Sequence, residues 1–318
     1  MRLAIITPCY NAGELLLEAV RSVRGEAEYL AALCPDTELR HIVIDDRSDD
    51  AQTVAYLVEL RKGGKESGVV VIENCGRRGP AGARNYGIRH TAADWYGFLD
   101  ADDRYVHGGL AILVARLRAR PAAQWVAGEL IKCWPDEQSQ RPNPFAAHGS
   151  DENGWCIIDG LALQHEMAKP PRYFLGTSII RATVFERHGG FDEQLLLGED
   201  WTFALQLSLH TALDHTAAPV LYLRRGHDSL TSGSRALSFV SVKATALALR
   251  DPRFRLLRKQ LRYTLSAQLF NLAARLREAG QPVKAGGWML LALVVQPLPR
   301  RKLRRLRGWF DPSVFNQR

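Results

Sequence analysis

The chain has 318 residues, 46% of them hydrophobic and 24% charged, with 26 glycines and 15 prolines. That is enough apolar material for one large core or two ordinary ones, and it excludes a disordered chain, a collagen-like repeat, a coiled coil and a small stapled scaffold. The net charge of +8 is unevenly placed: residues 250–318 carry 16 basic and 3 acidic side chains, a net +13 that leaves −5 for residues 1–249. An acidic body argues against nucleic acid as its partner, and the basic tail is expected to meet something different. The five cysteines, at positions 9, 34, 75, 133 and 156, form no Cys-x-x-Cys pair and are odd in number. They read as reduced thiols rather than disulfides or zinc ligands. The apolar run Leu3–Ile6 before Thr7-Pro8 is too short for the core of a signal peptide, so a cytoplasmic location is expected.

In chain order, Leu3–Thr7, Leu39–Asp45, Val69–Glu73, Tyr96–Asp100 and Gln124–Ile131 read as strands, separated by amphipathic stretches of crossover length. That rhythm predicts βαβ units and an α/β, doubly wound, mostly parallel sheet. The apolar triplets Ala4-Ile5-Ile6 and Ile42-Val43-Ile44 suit a sheet covered on both faces. In such a sheet, ligands bind beyond the carboxyl ends of the strands. From Trp134 to Pro171 the pattern breaks into Pro, Asn, Gly and Ser, which predicts a long, partly mobile loop over the site. Order is expected to resume at 174–180, followed by a Gly189-Gly190 turn, a helix near 199–210 and a strand near 220–223. Beyond Gly233 only helices are predicted, so the chain divides into a domain at 1–230 and a helical, basic region at 231–318.

The predicted strand ending at Leu99 runs into Asp100-Ala101-Asp102-Asp103, three carboxylates in four residues. Such charges repel, and a hard divalent cation relieves them; turn and helix-cap chemistry is the competing reading. Ile44-Asp45-Asp46 forms a second acidic strand end, where Asp45 or Asp46 is suited to accept hydrogen bonds from a base or ribose. After the third strand, the segment from Asn74 to Gly87 is rich in small residues that let backbone approach a ligand, and Arg84 offers a planar fork for phosphate or carboxylate. A flexible turn with surface arginines is the alternative there. No Gly-x-Gly-x-x-Gly follows strand one and no P-loop occurs, so dinucleotide and P-loop fingerprints are absent.

Together these segments resemble the inverting family 2 glycosyltransferases of GT-A fold. The resemblance rests on Ile5-Ile6-Thr7-Pro8-Cys9-Tyr10-Asn11, Ile44-Asp45-Asp46-Arg47-Ser48, Gly82-Ala83-Arg84-Asn85-Tyr86-Gly87-Ile88 and Phe98-Leu99-Asp100-Ala101-Asp102-Asp103, in that order. Gly189-Gly190-Phe191-Asp192-Glu193 and Gly198-Glu199-Asp200-Trp201 follow, similar to the family's acceptor-side Glu-Asp motif. The resemblance covers residues 1 to about 230 and implies a GT-A type, Rossmann-like sheet with a C-terminal helical extension. It implies that Pro8 and Tyr10 line the base pocket, Asp46 binds the base, and Arg84 and Asn85 lie near the nucleotide sugar. Asp100 falls nearer the ribose, and Asp102 or Asp103 contacts Mn²⁺ or Mg²⁺. Asp200 is then the general base and His227 a contact of metal or diphosphate, although an exposed loop histidine fits His227 as well.

The implied activity moves a sugar from a nucleotide-sugar donor, UDP-linked by the same resemblance, to a hydroxyl of a glycan or lipid-linked acceptor in cell-surface polysaccharide synthesis. A catalytically silent sugar-nucleotide or glycan-binding scaffold is the alternative, disfavoured because a pure binder needs no base. A nucleotidyltransferase lacks its Gly-rich phosphate loop here. Trp134, Trp155 and Tyr173 are candidates for stacking on a sugar or for pinning the loop to the body. In the tail, Trp288–Val295 is too short to span a bilayer, and Arg300–Phe310 joins six cations to Leu and aromatic anchors. That segment suits the anionic inner face of a membrane; a solvated helix or a nucleic-acid contact are its other readings.

Overall fold

The computed structural model describes residues 1–169, 173–226 and 235–296. The chain forms two compact units, Met1–Ser232 and Gly233–Arg318. The first begins with β1 (Arg2–Cys9), α1 (Leu15–Leu33), β2 (Glu38–Asp45), α2 (Ala51–Ser67), β3 (Val69–Glu73), α3 (Pro80–His90) and β4 (Trp95–Phe98). β1 pairs in parallel with β2 and β4, and β2 with β3. β1 is apolar enough to be covered on both faces, Leu3 to Ile6 all being buried, and α1 buries Leu16, Val20, Val23 and Leu30 at helical spacing. Gly87 brings α3 directly onto the sheet, because a Cβ there would lie 2.8 Å from Ile6 Cγ2.

The unit continues with β5 (Arg104–Tyr105), α4 (Gly109–Ala119), β6 (Trp125–Cys133), β7 (Gln138–Gln140), β8 (Trp155–Ile158), α5 (Gly160–Met167), β9 (Ser178–Arg181), α6 (Ala182–His188), α7 (Glu199–Leu207) and β10 (Leu213–Arg224). One 10-stranded sheet results, in the order β3-β2-β1-β4-β9-β6-β10-β5, with β7 on β6 and β8 on β10. Its first four strands are parallel; β9 then runs antiparallel to both β4 and β6, while β6 and β10 are parallel. Leu110, Leu113 and Leu117 of α4 join Val23 and Leu30 of α1 and Leu3 and Ile5 of β1 in one core cluster.

The expectation of a loop at 134–171 is corrected. β7, β8 and α5 lie within it, and β8 pairs antiparallel with β10, Ile157 opposite Asp214. Trp155 and Cys156 are buried there. The strand is a four-residue apolar run between turn residues, and its partner comes from nearly sixty residues downstream, so local pattern does not announce it.

The second unit contains α8 (Arg235–Arg250), a 3₁₀ segment (Pro252–Leu257), α9 (Arg258–Glu278) and α10 (Pro282–Val295). α9 buries Leu261, Leu265, Leu269, Leu272 and Leu276, close to one residue per turn. α10 packs on it through Ala285, Met289 and Ala292, and Ser266 Oγ donates to the Ala292 carbonyl at 3.0 Å. Among the described residues no helix is long and apolar enough to cross a membrane.

Candidate active site

The parallel strands end level: Cys9 pairs with Asp45 and Asp45 with Glu73. Tyr10, Asp46 and Asn74 therefore leave the sheet at one edge. Pro8 is half-buried within β1, and Tyr10 is exposed with the Arg78 guanidinium 5.1 Å from its ring centroid. Asn11, at φ 49°, donates to Asp49 Oδ1 at 2.6 Å and accepts from the Asp49 and Asp50 amides, tying the loop after β1 to the loop after β2. Asp46 is buried, and both of its oxygens are engaged. Oδ1 accepts from Asn74 Nδ2 at 2.6 Å and Oδ2 from the Gly79 amide at 2.7 Å, so the carboxylate braces the loop between β3 and α3.

Just past β4, Asp100, Asp102 and Asp103 offer carboxylate oxygens within 4.8 Å of one another. Asp103 is buried and accepts from the Arg224 amide at 2.9 Å. Burial, reinforced by the charges of Asp102 and Asp100, holds its pKa well above the usual carboxylate range. Arg224, the last residue of β10, also donates from Nε to the Asp102 carbonyl at 3.1 Å and pairs with Glu18 of α1. Sequence reasoning assigned Arg224 no role; its only signal was a place at the end of a strand. Three crowded, hard oxygen donors, one of them buried, fit a divalent cation such as Mg²⁺ or Mn²⁺.

Arg84 joins this cluster to α7. Its side chain is 5% exposed; Nη2 donates to Asp100 Oδ1 and Nη1 to Glu199 Oε1, each at 2.6 Å, while the buried Nε has no partner. Burial alone would lower its pKa, but the two carboxylates more than offset that and keep it firmly charged. Gly198, at φ 80°, starts α7 at Glu199 and sets Glu199 and Asp200 in the first turn, where the helix dipole favours carboxylates. Burial pushes Glu199 up to about 7, against the pull of Arg84 and with the help of Asp200. Asp200 is also raised, first by burial and further by Asp100, with Arg84 opposing. Asp200 Oδ1 accepts from the Trp201 amide at 2.7 Å, and Trp201 Nε1 donates to the Met167 carbonyl at 2.7 Å, anchoring α7 to α5.

The Arg84 fork takes carboxylate, one of the two partners its sequence offered, and both terminal nitrogens are committed to it. The side-chain amide of Asn85 is engaged within the protein. Its Oδ1 accepts from the Phe191 amide, and its Nδ2 donates to the Phe191 carbonyl and to Glu193 Oε1, all at 2.9 Å. A Cβ on Gly190 would lie 2.2 Å from Asn85 Oδ1, so glycine is what allows this clamp. Of the aromatic candidates, Trp155 and Tyr173 are buried and Trp134 is 39% exposed. Tyr173 packs edge-on against Trp125, and its hydroxyl feels the charges of Asp200 and Arg84. His227 lies outside the described residues. A groove of about 420 Å³ is lined by Asn85, Ile88, Tyr96, Phe185 and Gly190 and by none of the clustered aspartates.

The model of glycosyl transferase family 2 matches residues 4–169, more than half of the chain and every motif through Asp103. The chain belongs to glycosyl transferase family 2. It is 28% identical over 152 residues to the GalNAc(5)-diNAcBac-PP-undecaprenol beta-1,3-glucosyltransferase of Campylobacter jejuni, a match spanning 48% of this chain and 44% of that protein. It is 33% identical over 154 residues to the amylovoran biosynthesis glycosyltransferase AmsB of Erwinia amylovora, spanning 47% and 48%. The chain thus spans about half the length of the curated relatives it matches. Among solved structures, S. aureus TarS 1–349 in complex with UDP-GlcNAc superposes with a TM-score of 0.63 at 17% identity, covering 92% of this chain and 81% of that one. The mannosyltransferase PcManGT from Pyrobaculum calidifontis, in complex with GDP-Man and Mn²⁺, gives 0.55 at 19% identity, covering 92% and 84%. These likenesses establish the GT-A fold for this member of family 2, as the sequence motifs implied.

Proposed function

We propose that the chain is an inverting, metal-dependent glycosyltransferase that moves a sugar from a nucleotide sugar, UDP-linked, to a hydroxyl of a glycan or lipid-linked acceptor in cell-surface polysaccharide synthesis. The observation that carries this reading is the buried Arg84 bridge, which draws Asp100, first of the aspartates after β4, and the first turn of α7 together. The donor's nucleoside lies over the strand ends, with Tyr10 and Pro8 against the base. Asp46 acts there by holding the loop between β3 and α3, and Asp100 faces the ribose side. Asp102 and Asp103 would hold Mn²⁺ or Mg²⁺, which when bound supplies positive charge to the departing diphosphate.

Asp200 accepts the proton of the acceptor hydroxyl. As that oxygen bonds to the sugar C1, the bond from C1 to the diphosphate oxygen breaks on the opposite face, the nucleoside diphosphate leaves with the electron pair, and the configuration inverts. A raised pKa makes Asp200 a stronger base than an ordinary carboxylate, which suits it to this step. Arg84 and Glu199 position the two halves without touching the reacting atoms. His227, outside the described residues, is proposed to contact the diphosphate.

The names of the two curated relatives support a glycan or PP-undecaprenol-linked acceptor, and the solved neighbours' UDP-GlcNAc and GDP-Man support a nucleotide-sugar donor. The net +13 of residues 250–318 supports contact with the anionic face of a membrane, where a lipid-linked acceptor resides. The test is chromatographic detection of nucleoside diphosphate release from UDP- and GDP-sugars, with and without Mn²⁺ and lipid-linked acceptor. Release that needs both supports the proposal. Tight donor binding with no release under any acceptor would favour the silent scaffold.

A further inference from the structure

Helix α10 is apolar nearly all round. Ala285, Met289 and Ala292 are buried, yet Val283, Leu290, Leu291 and Val294 remain exposed, Val283 at 88% and Val294 at 80%. At 3.6 residues per turn, positions 283, 290 and 294 fall within about 40° of arc, with 291 beside them. They form one ridge. A helix of this composition is ordinarily buried on every side, so an open aliphatic ridge marks a surface that meets a partner.

Charge identifies the partner. From Ala279 to Phe310 the sequence holds seven basic residues, Lys284 on α10 and six between 300 and 307, and neither Asp nor Glu. We infer that the exposed face of α10 lies in the interface of an anionic lipid membrane, its aliphatic side chains among the acyl chains, and that the positive charge of the sequence favours the anionic surface. The inference rests on the reading of the tail as a membrane contact and adds the apolar half that charge alone lacks; a polybasic stretch gains stable anchoring when an apolar element joins it. A second copy of the chain docked on this face would pair two regions that each carry a net +13 over residues 250–318. An acidic protein would satisfy the arginines and leave the ridge without an apolar partner.

The test is co-sedimentation of the full chain with vesicles of phosphatidylcholine, with and without phosphatidylglycerol. Three proteins are compared: wild type, Leu290→Ser with Val294→Ser, and Arg304→Ser with Arg305→Ser. Light scattering gives the oligomeric state, and a melting curve confirms that each is folded. The wild type is expected to bind the anionic vesicles. The ridge variant, with its charge unchanged, is expected to lose about ten-fold or more in partitioning at an unaltered Tm. Equal binding by wild type and ridge variant, with loss only in the arginine variant, would overturn the α10 inference and leave the cationic tail as the anchor. No binding by the wild type would overturn both, while leaving sugar transfer itself untouched. A wild-type dimer that becomes monomeric in the ridge variant, with no change on vesicles, would assign the face to a second copy instead.

Discussion

Arg84 carries more of the site than any other single side chain. Buried and paired with Asp100 and Glu199, it is the positive charge that makes several neighbouring carboxylates tolerable. Removing one member of a buried ion pair leaves the other uncompensated, so Arg84→Met should destabilise the fold by about 3 kcal/mol, measurable as a lower urea midpoint. A variant as stable as wild type would mean that the carboxylates find other partners.

Glu199 makes a pH prediction. Its folded pKa of about 7 lies above the ordinary 4.5, so between these values the native state holds a proton that the unfolded chain has released. The associated stability is present below pH 4.5 and is lost as pH rises toward 7. Glu199→Gln, neutral at any pH, should flatten that decline in urea titrations at pH 5 and 7.5; the same slope in both proteins would remove Glu199 as its source. Asp200, one residue on, is the proposed general base. Asp200→Asn should lower kcat by about 10²-fold to 10⁴-fold while nucleotide affinity stays within a few-fold, as calorimetry can read. Strong loss of nucleotide binding would contradict the base assignment.

At the scale of elements, the site depends on how α3 meets the segment before α7. Asn85 fixes that junction with three hydrogen bonds to Phe191 and Glu193. Asn85→Ala leaves the Phe191 amide without its acceptor and should cost about 1–3 kcal/mol in stability, with kcat falling more than KM changes. A rise in KM at unchanged stability would instead mark Asn85 as a donor-sugar contact. The family resemblance implies that Arg84 and Asn85 lie near the nucleotide sugar. Local pattern does not tell that partners of theirs also wait at 191, 193 and 199, more than a hundred residues away, and long-range pairing of this kind leaves no local periodicity. Asp100, Asp102 and Asp103 were legible for the opposite reason, being adjacent in the chain and set at a strand end by an apolar run that reads clearly. Arg224, which joins Asp103 from the far end of β10, was not.

For the whole molecule, β1 to β4 and their helices follow from alternating apolar and amphipathic stretches. In the mixed half, β6 and the end of β10 read as strands, but their order and direction do not follow, because β8 and β9 are four-residue strands whose pairing is set by distant partners. The two units also divide by charge, with the acidic one carrying the clustered aspartates and the basic one the exposed ridge of α10. Binding of a nucleotide sugar through a cation held by the aspartates after β4 is the proposal on which the mechanism depends.

The most direct measurement is a thermal-shift panel of UDP-, GDP- and dTDP-sugars with Mn²⁺ and with chelator, on wild type and Asp102→Ala. A ligand that binds only the native state raises Tm in proportion to its occupancy. The account predicts that UDP-sugars stabilise the wild type only when Mn²⁺ is present, and that Asp102→Ala abolishes the shift. Stabilisation that survives both the chelator and the substitution, or a folded wild type that no nucleotide stabilises, would contradict it.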